Sequence, residues 1–292
     1  MIRNSKEFEF CWTIRRRHLW RECRRKYFYY YYGSRGGHET SAPSFARNLY
    51  IAKCGLPMPM YLRRVLNCAM RKIFYASQEE EYSRAEHLYP VAHNIAVKEL
   101  HQVLSGSNLP KAYCAEIADT SIRPGDICDE MCERLENMCS KLQNGAWGRL
   151  CGIPQINRRF IASPMQLDIA DLKCAVAPVL AYRSNGDLCV IDGTGNDGDG
   201  REISLLYKFA AMNMHRIAPE KVRSFIIRPD TESDFVETGS DISISALLRD
   251  IRRDVDEMLG AIREDGSICE KDFPCNENSC RSCAFSHLCL RK

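Results

Sequence analysis

No apolar stretch in this chain approaches the roughly 20 residues that a membrane-spanning helix requires. The opening segment, Met1 to Phe10, is charged where a secretory signal would be apolar. These two absences lead us to expect a cytoplasmic protein with no membrane partner. Charge of one sign is also lacking: Lys and Arg number 41 against 38 Asp and Glu, a formal net charge of +3, which by itself points to no partner. Internal repeats and low-complexity tails are missing, which argues against a solenoid. The glycine-rich segment from Gly193 to Gly200 lacks the Gly-Lys-Ser/Thr ending of a phosphate loop. What remains is ordinary for a folded globular chain: 292 residues, 45% hydrophobic and 27% charged. That length accommodates one large domain, or one core domain with a helical insertion.

Cysteine, by contrast, is abundant, with sixteen residues. In a small secreted domain this would mean disulfides, but in a large chain without an export signal it predicts thiols or metal ligation. Cys128, Cys132 and Cys139 recur at helical spacing in a charged segment, where cysteine serves as a small core residue. Cys280, Cys283 and Cys289 are different, because they form a C-x2-C-x5-C pattern. Two thiolates separated by two residues can chelate one centre from a single turn, and the third closes on it from the next. A fourth ligand is still needed, from Cys275, His287 or a distant cysteine. Positive charge is concentrated too, since Arg15, Arg16, Arg17, Arg21, Arg24, Arg25 and Lys26 crowd the first thirty residues. Such a cluster binds phosphate backbone or forms a helix face paired to acidic neighbours, and both readings stay open.

Apolar periodicity predicts a helix from Trp12 to Tyr32, and others over Tyr61 to Ala76, Glu80 to Leu104 and Ile127 to Leu142. The first half is therefore mainly helical. After about residue 157 the pattern changes. Cys174 to Tyr182 and Leu188 to Asp192 flank Asn185-Gly186, the strongest short hairpin signal available. A helix from Ile203 to His215, a strand from Val222 to Arg228 and an amphipathic helix from Ile244 to Arg263 follow.

The run from Trp12 to Tyr30, with Cys23 among basic and aromatic residues, resembles the opening of PD-(D/E)XK nucleases of the RecB and CRISPR-associated exonuclease type. The resemblance extends to the central hairpin and the C-terminal cysteines. It implies an α/β, restriction-endonuclease-like fold: a mixed central sheet flanked by helices. On this basis residues 1–292 form a single domain, with a helical insertion over about 55–155 and a cysteine segment over 265–292. It further implies a 4Fe-4S cluster on Cys23, Cys280, Cys283 and Cys289, leaving Cys275 spare. Zinc on Cys275, Cys280, Cys283 and Cys289 is the alternative, since those four need no distant partner.

The nuclease centre of that family needs an acid on one hairpin strand, then an acid and a lysine two residues apart on the next, with a histidine from an earlier helix. At the matching positions this chain has Ala177, Asp192 and Thr194, and Leu66 in place of the histidine. The glutamine expected before Tyr207 is absent as well. A lone carboxylate is a poor magnesium site, so magnesium is not expected. A displaced centre on Asp168, Asp171 and Lys173 is the competing register. The implied function is a catalytically degenerate subunit that binds nucleic acid, DNA above all, or acts as a scaffold beside a nuclease, helicase or CRISPR-type effector. Two rivals stand beside it: an active magnesium- or manganese-dependent deoxyribonuclease, and a zinc-stabilised protein-interaction module.

Overall fold

The computed structural model describes residues 10–75, 85–105, 111–118, 121–158, 165–169, 172–193, 201–227, 235–238, 243–281 and 283–289. A two-residue strand, β1 (Cys11–Trp12), leads into α1 (Ile14–Glu22). The Thr13 side chain caps α1 by accepting the Arg16 backbone N–H at 3.1 Å. The single helix expected from Trp12 to Tyr32 does not form. At Cys23 the backbone is extended (φ −164°, ψ 117°), and α2 (Arg24–Phe28) and a π-helical turn over Tyr29–Gly33 follow. The interruption is tolerated because the C-terminal segment satisfies the backbone groups it releases. The Glu22 carbonyl accepts from Asn276 Nδ2 at 2.9 Å and from Ser279 Oγ at 3.0 Å, while the Arg25 N–H donates to the Pro274 carbonyl at 3.1 Å.

The helical half continues with α3 (Ser44–Cys54), a short β2 (Gly55–Leu56) and α4 (Met58–Tyr75). It is completed by α5 (Leu88–Ser105), β3 (Tyr113–Cys114), α6 (Pro124–Asn144) and α7 (Ala146–Cys151). Leu66, Phe74, Leu88, Leu135 and Trp147 form its core, which runs on without interruption to Val179, Leu180 and Ile191 of the sheet. Cys139 is buried in that core, as its helical spacing suggested, while Cys128 and Cys132 on the same helix are half-buried, and none of the sixteen cysteines is in a disulfide.

The second half carries β4 (Met165–Ile169), β5 (Leu172–Val176), β6 (Leu180–Ser184) and β7 (Asp187–Asp192). Then come α8 (Arg201–His215), β8 (Val222–Ile227), β9 (Phe235–Thr238), α9 (Ile244–Gly260) and the single turn α10 (Ser286–Cys289). Among the described residues, β6-β7-β8-β9 form a mixed sheet, β1-β5-β4 a second and β2-β3 a third. β6 and β7 are antiparallel, and the turn between them places Asn185 and Gly186 at φ 51° and 86°, as an Asn-Gly hairpin requires. β7 and β8 are parallel, with α8 as the crossover. The fold is thus mixed α/β.

The run from Cys174 to Tyr182 is not one strand. It breaks at Ala177-Pro178, and its two halves lie in different sheets. Proline has no N–H to give to a ladder, and here its carbonyl is taken by the Arg71 guanidinium at 2.8 Å.

Candidate metal centre

The interruption at Cys23 turns its thiol toward the C-terminal segment. There a narrow recess, partly open to solvent, is lined by Cys23, Cys275, Cys280, Cys283 and Cys289 together with Arg25, Lys26 and Tyr29. The Cys275 Sγ stands 3.8 Å from that of Cys280 and 3.9 Å from that of Cys289. The Asn276 backbone N–H donates to Cys23 Sγ at 3.3 Å. Successive tight turns bring the tail thiols round: the Cys283 N–H reaches the Cys280 carbonyl, and the Ser286 N–H reaches the Cys283 carbonyl. His287 is exposed and does not line the recess.

An aromatic wall backs the site. Phe273 and Phe285 are buried, and they pack on Phe28 and Tyr29 with ring centroids 5.2 and 5.6 Å apart. Arg25 is anchored on Glu270 and on the Phe273 carbonyl, both at 2.7 Å, so a cation is fixed beside the thiols. Burial, reinforced by the neighbouring thiols of Cys280 and Cys289, pushes the Cys275 thiol up to about 12. Burial also raises Cys283, against the opposing pull of Lys26.

Five soft sulfur donors, a backbone N–H on one sulfur and fixed cations suit a thiophilic metal or an iron-sulfur cluster. A bound metal would take up thiols that otherwise stand crowded in one recess. As placed, the thiols are gathered without closing on one point: among the described residues, no three His, Cys, Asp or Glu side chains stand in ligating geometry.

The positions matched to a nuclease centre lie elsewhere. Asp192, at the end of β7, is 3% exposed and accepts from the Tyr207 hydroxyl at 3.3 Å. Burial and that carboxylate hold the Tyr207 phenol well above its usual range. Ala177 is exposed between β5 and β6, and Thr194 lies outside the described residues. Leu66 is buried in the core that α4 shares with Val179, Leu180 and Ile191 of the sheet, and its neighbours on α4 reach the end of the hairpin: Asn67 donates to the Gly193 carbonyl at 2.8 Å and Arg71 to that of Pro178. A Cβ on Gly193 would stand 2.1 Å from Asn67 Oδ1, so any side chain there would push Asn67 off the hairpin end. Of the displaced trio, Asp171 lies outside the described residues. Asp168 and Lys173 are register partners on β4 and β5, in a different sheet from Asp192.

The N-terminal cations divide. Arg17, fully buried, is paired with Asp254 of α9 and, at 2.8 Å, with Glu202 of α8. Arg21 reaches Asp254, Arg24 reaches Glu257, Arg25 reaches Glu270 and Lys26 reaches Glu22. For these five, the pairing that the sequence left open is what the fold uses. Arg16 lies in the core edge with its guanidinium on the Tyr27 hydroxyl at 2.7 Å, and Arg15 is exposed over the Tyr30 ring. Sequence reasoning overlooked Asn276 and Ser279, which close the helix end at Glu22; their capping-prone side chains are a local signal, but their target is not.

Compared with known protein families, curated proteins and solved structures, the chain matches none. No helix among the described residues is long and apolar enough to cross a membrane.

Proposed function

We propose that this chain is a catalytically degenerate PD-(D/E)XK-like protein in which a 4Fe-4S cluster on Cys23, Cys280, Cys283 and Cys289 ties the first helices to the C-terminal segment. It serves as a nucleic-acid-binding or scaffolding subunit, with DNA favoured, beside a nuclease, helicase or CRISPR-type effector. The observation that carries this reading is the convergence of Cys23 with the C-x2-C-x5-C thiols on one recess. The backbone break at Cys23, closed by Asn276 and Ser279, supports the same reading because it presents that thiol to the tail. The succession of hairpin, crossover helix and parallel strand supports a restriction-endonuclease-like core. Catalysis is not proposed. Asp192 is bonded to Tyr207, Ala177 replaces an acid, and one carboxylate does not hold magnesium for phosphate chemistry.

A second reading is favoured by one distance pair. Four thiolates about 2.3 Å from one zinc ion lie about 3.8 Å apart, whereas the corners of a cubane spread them further. Cys275 stands at 3.8 and 3.9 Å from Cys280 and Cys289. That supports zinc on Cys275, Cys280, Cys283 and Cys289 in a protein-interaction module.

Metal analysis of anaerobically purified protein separates the two. Iron and acid-labile sulfide in equal amounts, lost in Cys23→Ser and kept in Cys275→Ser, is the expected result. One zinc per chain, lost in Cys275→Ser and kept in Cys23→Ser, selects the second reading. Magnesium- or manganese-dependent cleavage of DNA, abolished by Asp192→Ala, would overturn the degenerate assignment.

A further inference from the structure

We infer that Cys128 and Cys132, on the flank of α6, form a two-thiol site for a thiophilic monovalent ion of the copper(I) class, separate from the cysteine recess. The pair does not depend on which centre that recess holds.

The core does not need these two thiols. The buried stripe of α6 is Ile127, Met131, Leu135, Cys139 and Leu142, so Cys139 is the cysteine that serves the core. Cys128 and Cys132 each follow a member of that stripe by one residue, a rotation of about 100° around the helix, and both stay half-buried. They lie on the helix that packs against α5. Burial raises the Tyr89 phenol of α5, and the nearby Cys132, Glu136 and Cys139 of α6 raise it further, which places that side chain close to Cys132. The His93 ring, one turn along α5, packs on Tyr89 with centroids 5.6 Å apart. The thiols are therefore flanked by a neighbouring helix and still reached by solvent.

Helical spacing decides what such a pair binds. Residues four apart on a helix have Cβ atoms about 5–6 Å apart, whereas a disulfide needs about 3.5–4.5 Å. The pair is too wide to close on itself. A single ion with two opposed bonds to sulfur of about 2.3 Å each spans about 4.6 Å, which the two thiols reach by rotation about χ1. Soft thiolates select copper(I) over harder ions, and copper(I) accepts two ligands in line. Zinc takes four, and among the described residues no third His, Cys, Asp or Glu side chain stands in ligating geometry with the pair. Binding is balanced by proton release. Two thiols give up two protons, two sulfur–copper bonds form, the copper keeps its oxidation state, and the bridged site carries one net negative charge.

The test uses the full chain with its recess metal in place, kept anaerobic and titrated with copper(I) against bicinchoninate as competing chelator. Cys128→Ser/Cys132→Ser is compared with the parent and with Cys68→Ser, which removes an exposed thiol from α4. The double variant should hold one copper fewer per chain than either, with its recess metal unchanged. In the parent, an equivalent of copper(I) should slow alkylation of Cys128 and Cys132 together by about tenfold or more, read peptide by peptide in a mass spectrometer. An equivalent of zinc should not. Replacing Cys128 alone should remove the protection of Cys132. Equal copper in parent and double variant overturns the site, as does alkylation that copper(I) leaves unchanged. Protection by zinc, or protection of Cys132 that survives Cys128→Ser, overturns the two-thiol geometry. The alkylation of the parent decides the matter even where the double variant fails to fold. Iron, sulfide and zinc contents report on the recess alone, so failure of that reading is seen separately.

Discussion

At the scale of single residues, the chain separates charges that hold the fold from charges that face outward. Arg17 is the clearest of the first kind. Its guanidinium joins α1 to α8 and α9 through Glu202 and Asp254, with no solvent exposure. Removing it leaves a buried carboxylate with, among the described residues, the half-exposed Arg21 as its remaining ion-pair partner. Arg17→Met should therefore cost about 3 kcal/mol of stability, read as a lower urea midpoint, and an unchanged midpoint would show that the pair is idle. Asp192 belongs to the same kind. Asp192→Ala strands the Tyr207 hydroxyl in a dry site and should cost about 1–3 kcal/mol, while Asp192→Asn, which keeps an acceptor, should cost less. Equal melting temperatures for the two variants would contradict this.

At the scale of elements, the N-terminal helices and the C-terminal segment complete each other. The hydrogen bonds that α1 cannot make past Glu22 come from Asn276 and Ser279, and the donor that opens α2 at Arg25 goes to Pro274. Ser279→Ala and Asn276→Ala should each cost about 1 kcal/mol. They should also speed hydrogen exchange at Cys23 through Tyr27, with no change on α6. Uniform exchange across both regions would mean that the tail does not cap the break. The sheet shows the same dependence on distant partners. The β6–β7 hairpin needs only Asn185 and Gly186, whereas the break before β6 needs Arg71 of α4 to take the Pro178 carbonyl.

At the scale of the whole molecule, a cysteine-ligated centre would link segments at opposite ends of the sequence, so its binding energy is folding energy. Stripping the metal with a strong chelator should lower the melting temperature, by about 2–4 °C for each kcal/mol lost. It should also open the segment from Phe273 to Cys289 to proteolysis before α4 to α6 are cut. Simultaneous cleavage everywhere, or no change in melting, would place the stabilisation in the aromatic wall of Phe273 and Phe285 instead.

Much of this was legible in the sequence. Apolar periodicity marked α4, α6, α8 and α9, because each buries one stripe at helical spacing. Asn185-Gly186 marked its hairpin, because a primed turn needs positive φ at both positions. The C-x2-C-x5-C spacing alone was enough to single out three thiols, since ligands on neighbouring turns are near each other whatever the fold. Whether an arginine would meet a phosphate or a carboxylate was not legible, for Asp254, Glu257 and Glu270 come to the N-terminal helices only after α9 and the tail have packed. Nor was the helix break at Cys23, whose hydrogen-bond partners are some 250 positions away, or the bond from Asn67 to the Gly193 carbonyl. Periodicity and spacing report on neighbours along the chain; which helix face turns to which partner, and which charges are left for solvent, depends on contacts between distant segments that tertiary packing alone decides.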